Sequence, residues 1–288
     1  MIFGLALALA SALATNVAFL FKHRGAVLAP PVRARHPLRS AAGLFRSRWF
    51  TVGLIVAVGA WALHVGALAL APLSIVQAVL SGGLVFLAVL AERYFGFHLG
   101  RRQWIGLLIT SVGLAVIGVT SGSQAGEPPG YALAALIVVE GAILGLATGL
   151  AMLHTRLGLS RAGQGMLLGA AAGALFGVSD IALKYLTNAV GDGILELVSP
   201  WTFAALAASV VAFYASARGL QLGPGVEVIA LTSVAANLVA IVGGILVFRD
   251  PIGSGPVAIT GRMVAFCLVI IGAALMPAPM RATRAASP

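Results

Sequence analysis

Polar residues along this chain are confined to narrow bands, and between the bands run apolar stretches of about 20 residues. The stretches are Ile2–Phe21, Trp49–Leu70, Leu73–Ala91, Gln103–Thr120, Tyr131–Leu153, Gln164–Leu186, Pro200–Gly219, Gly225–Phe248 and Pro256–Met276. A helix rises about 1.5 Å per residue, so each stretch matches the hydrocarbon thickness of a bilayer. None shows the two-residue alternation of an outer-membrane barrel strand. The pattern predicts an all-α, polytopic membrane protein with nine transmembrane helices. The joins leave no room for a soluble domain, so the chain reads as one transmembrane domain. Its longest join, Lys22–Arg48, is basic and holds Pro30, Pro31 and Pro37. The tail, 277–288, reads as disordered.

Composition agrees with this pattern. Of the 288 residues 60% are hydrophobic and only 9% charged, with a mean hydropathy of +1.04. A soluble domain carries about 25% charged residues, so a soluble enzyme, a disordered chain and a secreted disulfide scaffold are excluded. Cys267 is the single cysteine and has no internal disulfide partner.

The net charge of +10 would point to nucleic acid on a soluble protein. Its distribution says otherwise. Lys and Arg favour the cytoplasmic side. With the Lys22–Arg48 join placed there, fifteen basic residues fall inside: Lys22, Arg24, Arg33, Arg35, Arg39, Arg46, Arg48, Arg93, Arg101, Arg102, Arg156, Arg161, Arg218, Arg281 and Arg284. Only Lys184, Arg249 and Arg262 fall toward the other side. The basicity is therefore topology, with the N-terminus outside and the C-terminus inside. The partner it requires is the lipid bilayer and not nucleic acid. No basic residue precedes the first apolar stretch, and Lys22 and Arg24 follow it, so it reads as a retained helix and not a cleaved signal. Sixteen of the 18 basic residues are Arg, amid abundant Ala and Gly. That usage suggests a GC-rich bacterium and hence its cytoplasmic (inner) membrane.

A weak internal repeat is present. The third span opens after Leu70-Ala71-Pro72 and the eighth after Leu222-Gly223-Pro224. Each leads to a charged elbow, Glu92-Arg93 or Arg249-Asp250, and then to one further span. Spans two to four thus correspond to spans seven to nine. The offset of five is odd, so the copies are inverted, a plan that recurs in secondary transporters. The first repeat covers 1–120 with four helices and the second 131–276 with five.

The run Gly66-Ala-Leu-Ala-Leu-Ala-Pro-Leu-Ser-Ile-Val-Gln77, then Ala91-Glu92-Arg93, then Trp104-Ile105-Gly106 with Gly113, resembles the drug/metabolite transporter (EamA-like) superfamily. That plan has ten helices in two inverted five-helix repeats. Here Lys22–Arg48 replaces the second helix. The shortened half, with Phe21-Lys22-His23-Arg24-Gly25 after the first span, is similar to the NIPA-type magnesium transporters. The resemblance implies a secondary-active transporter working by alternating access, its cargo a divalent cation such as magnesium or a small metabolite. The competing reading is a non-transporting membrane subunit that holds a partner, a second copy included, through glycine-rich faces.

Ionisable groups inside a bilayer are costly and mark function by default. Five of the eight acids, Glu92, Glu127, Asp192, Glu196 and Asp250, fall in joins or at helix ends, and Glu227 lies near the inner end of its span. Glu140 lies nine residues into its span, roughly 14 Å deep, without a basic residue three or four positions away. It is the expected coupling or cation-binding carboxylate. Asp180 and Lys184 are four apart, share a helix face and can pair. They are the expected second acid and its switchable partner. If the cargo is a cation, Glu140 and Asp180 are the candidate metal-ligating residues. His64, Asn16, Gln77 and Asn237 are expected to add polar contacts. The predicted cavity is lined by spans one, two, three, five, six and eight.

Gly141, Gly145 and Gly149 form one four-residue stripe, and Gly165, Gly169, Gly173 and Gly177 another. Such stripes let helix backbones approach closely. No P-loop, CxxC or HExxH pattern occurs, nor a nucleophile paired with a base. No enzyme activity and no cofactor is expected.

Overall fold

The computed structural model describes residues 2–33, 35–71, 73–120, 133–153, 155–189, 198–248 and 256–275. The expectations for the tail, for the Arg249-Asp250 elbow and for Glu127, Asp192 and Glu196 lie outside the described residues. Among the described residues ten helices follow one another: α1 (Ile2–Leu28), α2 (Pro37–Phe45), α3 (Arg48–Leu70), α4 (Leu73–Phe95), α5 (Arg101–Thr120), α6 (Leu133–Leu153), α7 (Arg161–Ala189), α8 (Pro200–Leu222), α9 (Gly225–Leu246) and α10 (Pro256–Leu275). All but α2 have at least 20 residues. Among the described residues, α1, α3, α7, α8 and α9 are long and apolar enough to cross a membrane. The chain is a multi-pass membrane protein.

The basic join differs from its reading as a plain loop. Helix α1 runs on from Phe21 to Leu28 because Gly25 lets its backbone meet Phe50; a Cβ there would lie 2.6 Å from the Phe50 Cβ. Arg24 stacks over Trp49 at 4.1 Å, so a basic residue at the end of α1 finds an aromatic partner on α3. The join then forms α2, nine residues with proline in its first turn, where the missing N–H costs nothing. Gln221 of α8 fastens this segment. Its Oε1 accepts from Val32 N at 2.9 Å, and its Nε2 donates to the carbonyls of Pro30 at 3.0 Å and Ala26 at 3.2 Å.

Small residues set how the long helices meet. Helix α1 lies antiparallel to α3: Gly53 faces Ala18 and Lys22, and Gly4 faces Leu70, while Ser11 Oγ donates to the Ala60 carbonyl at 2.8 Å. It lies parallel to α4, with Ala8 in one apolar cluster with Leu73 and Val76 and Phe21 on Phe95 at 5.3 Å. Helix α7 repeats both relations. It is antiparallel to α8, with Gly165 on Gly219 and Gly223 and Ser179 bonded to Ser209 at 2.9 Å. It is parallel to α9, with Gly169 on Val228 and Thr232, and Gly177 on Ala236 and Val239. Gly113 of α5 packs on Ala265 of α10, and Gly272 on Gly106 and Thr110, so these two run antiparallel.

The α4–α5 elbow has a local cause. Gly96 adopts φ +69°, which glycine takes without steric cost. Glu92 Oε1 then accepts from Leu99 N at 3.1 Å and Trp104 Nε1 at 3.0 Å. That carboxylate is therefore engaged in closing the elbow.

The two glycine stripes fare differently. The α7 stripe is in backbone contact with α8 and α9 throughout. At Gly141, Gly145 and Gly149 of α6, no atom of the described residues lies within 4 Å of where a Cβ would stand. The expectation that the α6 stripe packs a neighbouring helix is corrected: α6 meets α7 through Leu144 and Ala147, and its glycines face outward.

Candidate functional site

A cavity of about 200 Å³ lies between α1, α3, α4, α7 and α9. Helix α1 contributes Ser11, Ala12, Thr15, Asn16, Phe19 and Lys22. These positions recur at three- and four-residue intervals, so they form one face of the helix. Helix α9 contributes Thr232, Ser233, Ala236 and Asn237, and α3 contributes Ala57, Ala60, Trp61 and His64.

Asp180 of α7 is the acid on this cavity wall. One carboxylate oxygen meets His64 Nε2 at 3.1 Å, and the side chains are 20% and 9% exposed respectively. The other oxygen accepts from Gln77 Nε2 at 3.0 Å. Helices α3, α4 and α7 thus converge on one carboxylate. A hydrogen-bonded acid of this kind keeps its orientation while its remaining lone pairs face the cavity.

The amides give the site its second property. Asn16 Nδ2 donates to the carbonyls of Ala12 at 2.8 Å and Gly83 at 2.9 Å. Gln77 is fully buried apart from the cavity it lines. With their amide nitrogens so engaged, Asn16 Oδ1 and Gln77 Oε1 are left buried without a hydrogen-bond partner. An unpaired buried acceptor is costly, and both belong to side chains that line the same cavity as Asp180. Asn237 Nδ2 donates to Ser81 Oγ at 3.1 Å, and Ser81 Oγ donates to the Gln77 carbonyl at 2.6 Å. Ser111 Oγ donates to the Ser81 carbonyl at 2.8 Å. This chain of hydroxyls ties α5, α4 and α9 behind the site.

Five of the expected residues, Asn16, His64, Gln77, Asp180 and Asn237, are brought together. Two are not. Lys184 sends its ammonium to the Leu68 carbonyl at 2.7 Å and the Ala71 carbonyl at 3.3 Å, where α3 ends. The expected Asp180–Lys184 pair is thereby corrected, because the free carbonyls of a helix C-terminus attract a cation and His64 and Gln77 take the acid. On the opposite side of the bundle, His23 of α1 hydrogen-bonds the backbone of Leu220 near the end of α8. Glu140 is 4% exposed, with Oε1 lacking a partner, but it is absent from the cavity wall. The predicted lining by the fifth span is corrected accordingly: α6 contributes no described residue to the cavity.

Sequence reasoning missed Ser11, Thr15, Thr232, Ser233 and Lys22 as lining residues. The hydroxyls share helix faces with Asn16 and Asn237, a signal available in the spacing. Lys22 was legible only as a topology charge.

No protein-family model matches the chain, and no solved structure matches it. The chain is 24% identical over 293 residues to the "Probable magnesium transporter NIPA9" of Arabidopsis thaliana, across 98% of this chain and 83% of that protein. It resembles a NIPA-type protein over almost its whole length.

Proposed function

We propose that this protein is a secondary-active transporter of the drug/metabolite type whose cargo is hydrated magnesium. The observation that carries the reading is the Asp180 carboxylate, held on the cavity wall by His64 and Gln77 with the amide of Asn16 lining the same cavity. Magnesium is a hard cation that takes oxygen ligands and dehydrates reluctantly, so one carboxylate and a few neutral oxygens suffice for it. The cavity, about 200 Å³, has room for an ion that keeps much of its water. The likeness to a probable magnesium transporter supports the same cargo.

In this reading Asp180 is the cation-binding carboxylate, in place of Glu140. The matched packing of α1 on α3 and α4 and of α7 on α8 and α9 supports two inverted halves with access alternating between them. The charge distribution supports an outside N-terminus in a bacterial cytoplasmic membrane, and a reporter on α2 that reads external overturns this. A non-transporting subunit requires a dry interior with its buried polar groups satisfied. The cavity and its unpaired oxygens count against it.

The test is uptake into proteoliposomes holding a magnesium dye, with and without an imposed pH gradient. Wild-type protein is expected to carry magnesium and Asp180→Asn to lose it. Folded wild-type protein carrying no magnesium in either direction sinks the proposal.

A further inference from the structure

A second, smaller void of about 20 Å³ lies beyond the cavity, lined by Lys22, Phe50, Phe176, Phe213, Ser216, Ala217 and Leu220. Two residues line both spaces, Lys22 and Phe176. They are the partition between them. The Lys22 ammonium stands 4.0 Å from the centroid of the Phe19 ring, and its stem is held in the α1–α3 seam, where a Cβ on Gly53 would lie 2.9 Å from the Lys22 Cγ. Asp180 belongs to the other end. Its neighbour Ile181 shares an apolar cluster with Ala8, and Ala8 precedes Lys22 on α1 by roughly 21 Å of helix rise.

The surroundings of Lys22 fix its electrostatic effect. Phe19, Phe50, Phe176 and Phe213 present aromatic faces and edges, and Ser216 a hydroxyl. The charged or titratable groups on the two walls besides Lys22 are Asp180 and His64, both at the far end. Aromatic faces tolerate an ammonium without neutralising it. A divalent ion leaving Asp180 toward the smaller void therefore meets a like charge in a low-dielectric passage, where repulsion is far stronger than in water.

We infer that Lys22, backed by Phe176, is the inner barrier of the transport path. It is a tethered ammonium that blocks the cation until α1 and α7 move apart. The inference rests on the cation reading above. It has a signature that a merely structural lysine lacks. Repulsion scales with the charge of the passing ion, so the barrier holds back divalent more than monovalent cations.

The experiment compares wild type, Lys22→Met and Lys22→Arg in proteoliposomes, with magnesium and sodium flux read in parallel and folding checked by a monodisperse elution profile. Lys22→Met is expected to raise magnesium leak on the order of tenfold, with sodium rising much less. Lys22→Arg, which keeps the charge, is expected to behave as wild type. A wild type that carries magnesium with Lys22→Met unchanged overturns the barrier and leaves the cation reading standing. An equal rise for both ions, or loss of flux in folded Lys22→Met, also overturns it. Silence from both proteins defeats both readings. A silent wild type, whatever Lys22→Met does, defeats the cation reading and the barrier that rests on it.

Discussion

Helices α6 and α7 carry the same features in their sequences. Each spans an apolar stretch, each bears a glycine at every fourth position, and each holds a carboxylate away from its ends. In the folded chain they part company. The α7 glycines take the backbones of α8 and α9, and its acid reaches the cavity between two hydrogen-bonding partners. The α6 glycines face open space, and its acid is buried outside the cavity with one oxygen unpaired. The difference is position in the bundle. Helix α7 is central and touches neighbours on several sides, while α6 lies against it from outside. A motif in a membrane helix takes its meaning from the side on which neighbours stand.

The largest expected effect falls on the α7 acid. Asp180→Asn removes the cavity's carboxylate, and a loss of magnesium flux of about a hundredfold or more is expected, the scale of breaking a buried charged pair. Flux retained within a few-fold erases the distinction between the two acids. Next is Gly173→Val. A Cβ at Gly173 would already lie 2.9 Å from the Ala235 Cβ and from the Thr232 backbone carbon. Overpacking of this kind costs about 1–3 kcal/mol, so a lower melting temperature in detergent is the expected reading. His64→Ala removes one of the two partners of Asp180, and a flux loss of roughly tenfold is expected, the scale of one hydrogen bond to a charged group. The smallest effects belong to α6. Glu140→Gln is expected to change flux less than about twofold and to leave the melting temperature unlowered, since it removes a charge from a buried site with an unpaired oxygen. Gly145→Ala, with nothing near its added methyl, is expected to be neutral or to stabilise by about 0.5–1 kcal/mol. If Glu140→Gln silences transport as Asp180→Asn does, the contrast between the helices is wrong.

Length and apolarity made the helices legible, since a bilayer crossing demands both. The close succession of α3 and α4, and of α8 and α9, was legible from proline between abutting apolar runs. The rotation of each helix was not. These helices are apolar nearly all round, so periodicity did not say that Glu140 stands away from the cavity, and depth alone placed it there. Local spacing also misled at Lys184. The four-residue rule knows only the residue's own helix, whereas the carbonyls of Leu68 and Ala71 come from more than a hundred positions away. Lys22 was read as a mark of sidedness because it opens the basic join Lys22–Arg48.

The two short joins have a mechanical consequence. Three Cα steps, from Leu70 to Leu73 or from Leu222 to Gly225, reach at most about 11 Å, close to the 8–10 Å at which packed helices stand apart. Both tethers keep the helix ends that they join close together. Helices α3 and α4 are bound along one edge of the bundle, and α8 and α9 along the opposite edge, like two leaflets stapled at different margins. A residue of the other half clasps each staple, Lys184 on one and His23 on the other, so the halves are latched to each other where each turns back on itself.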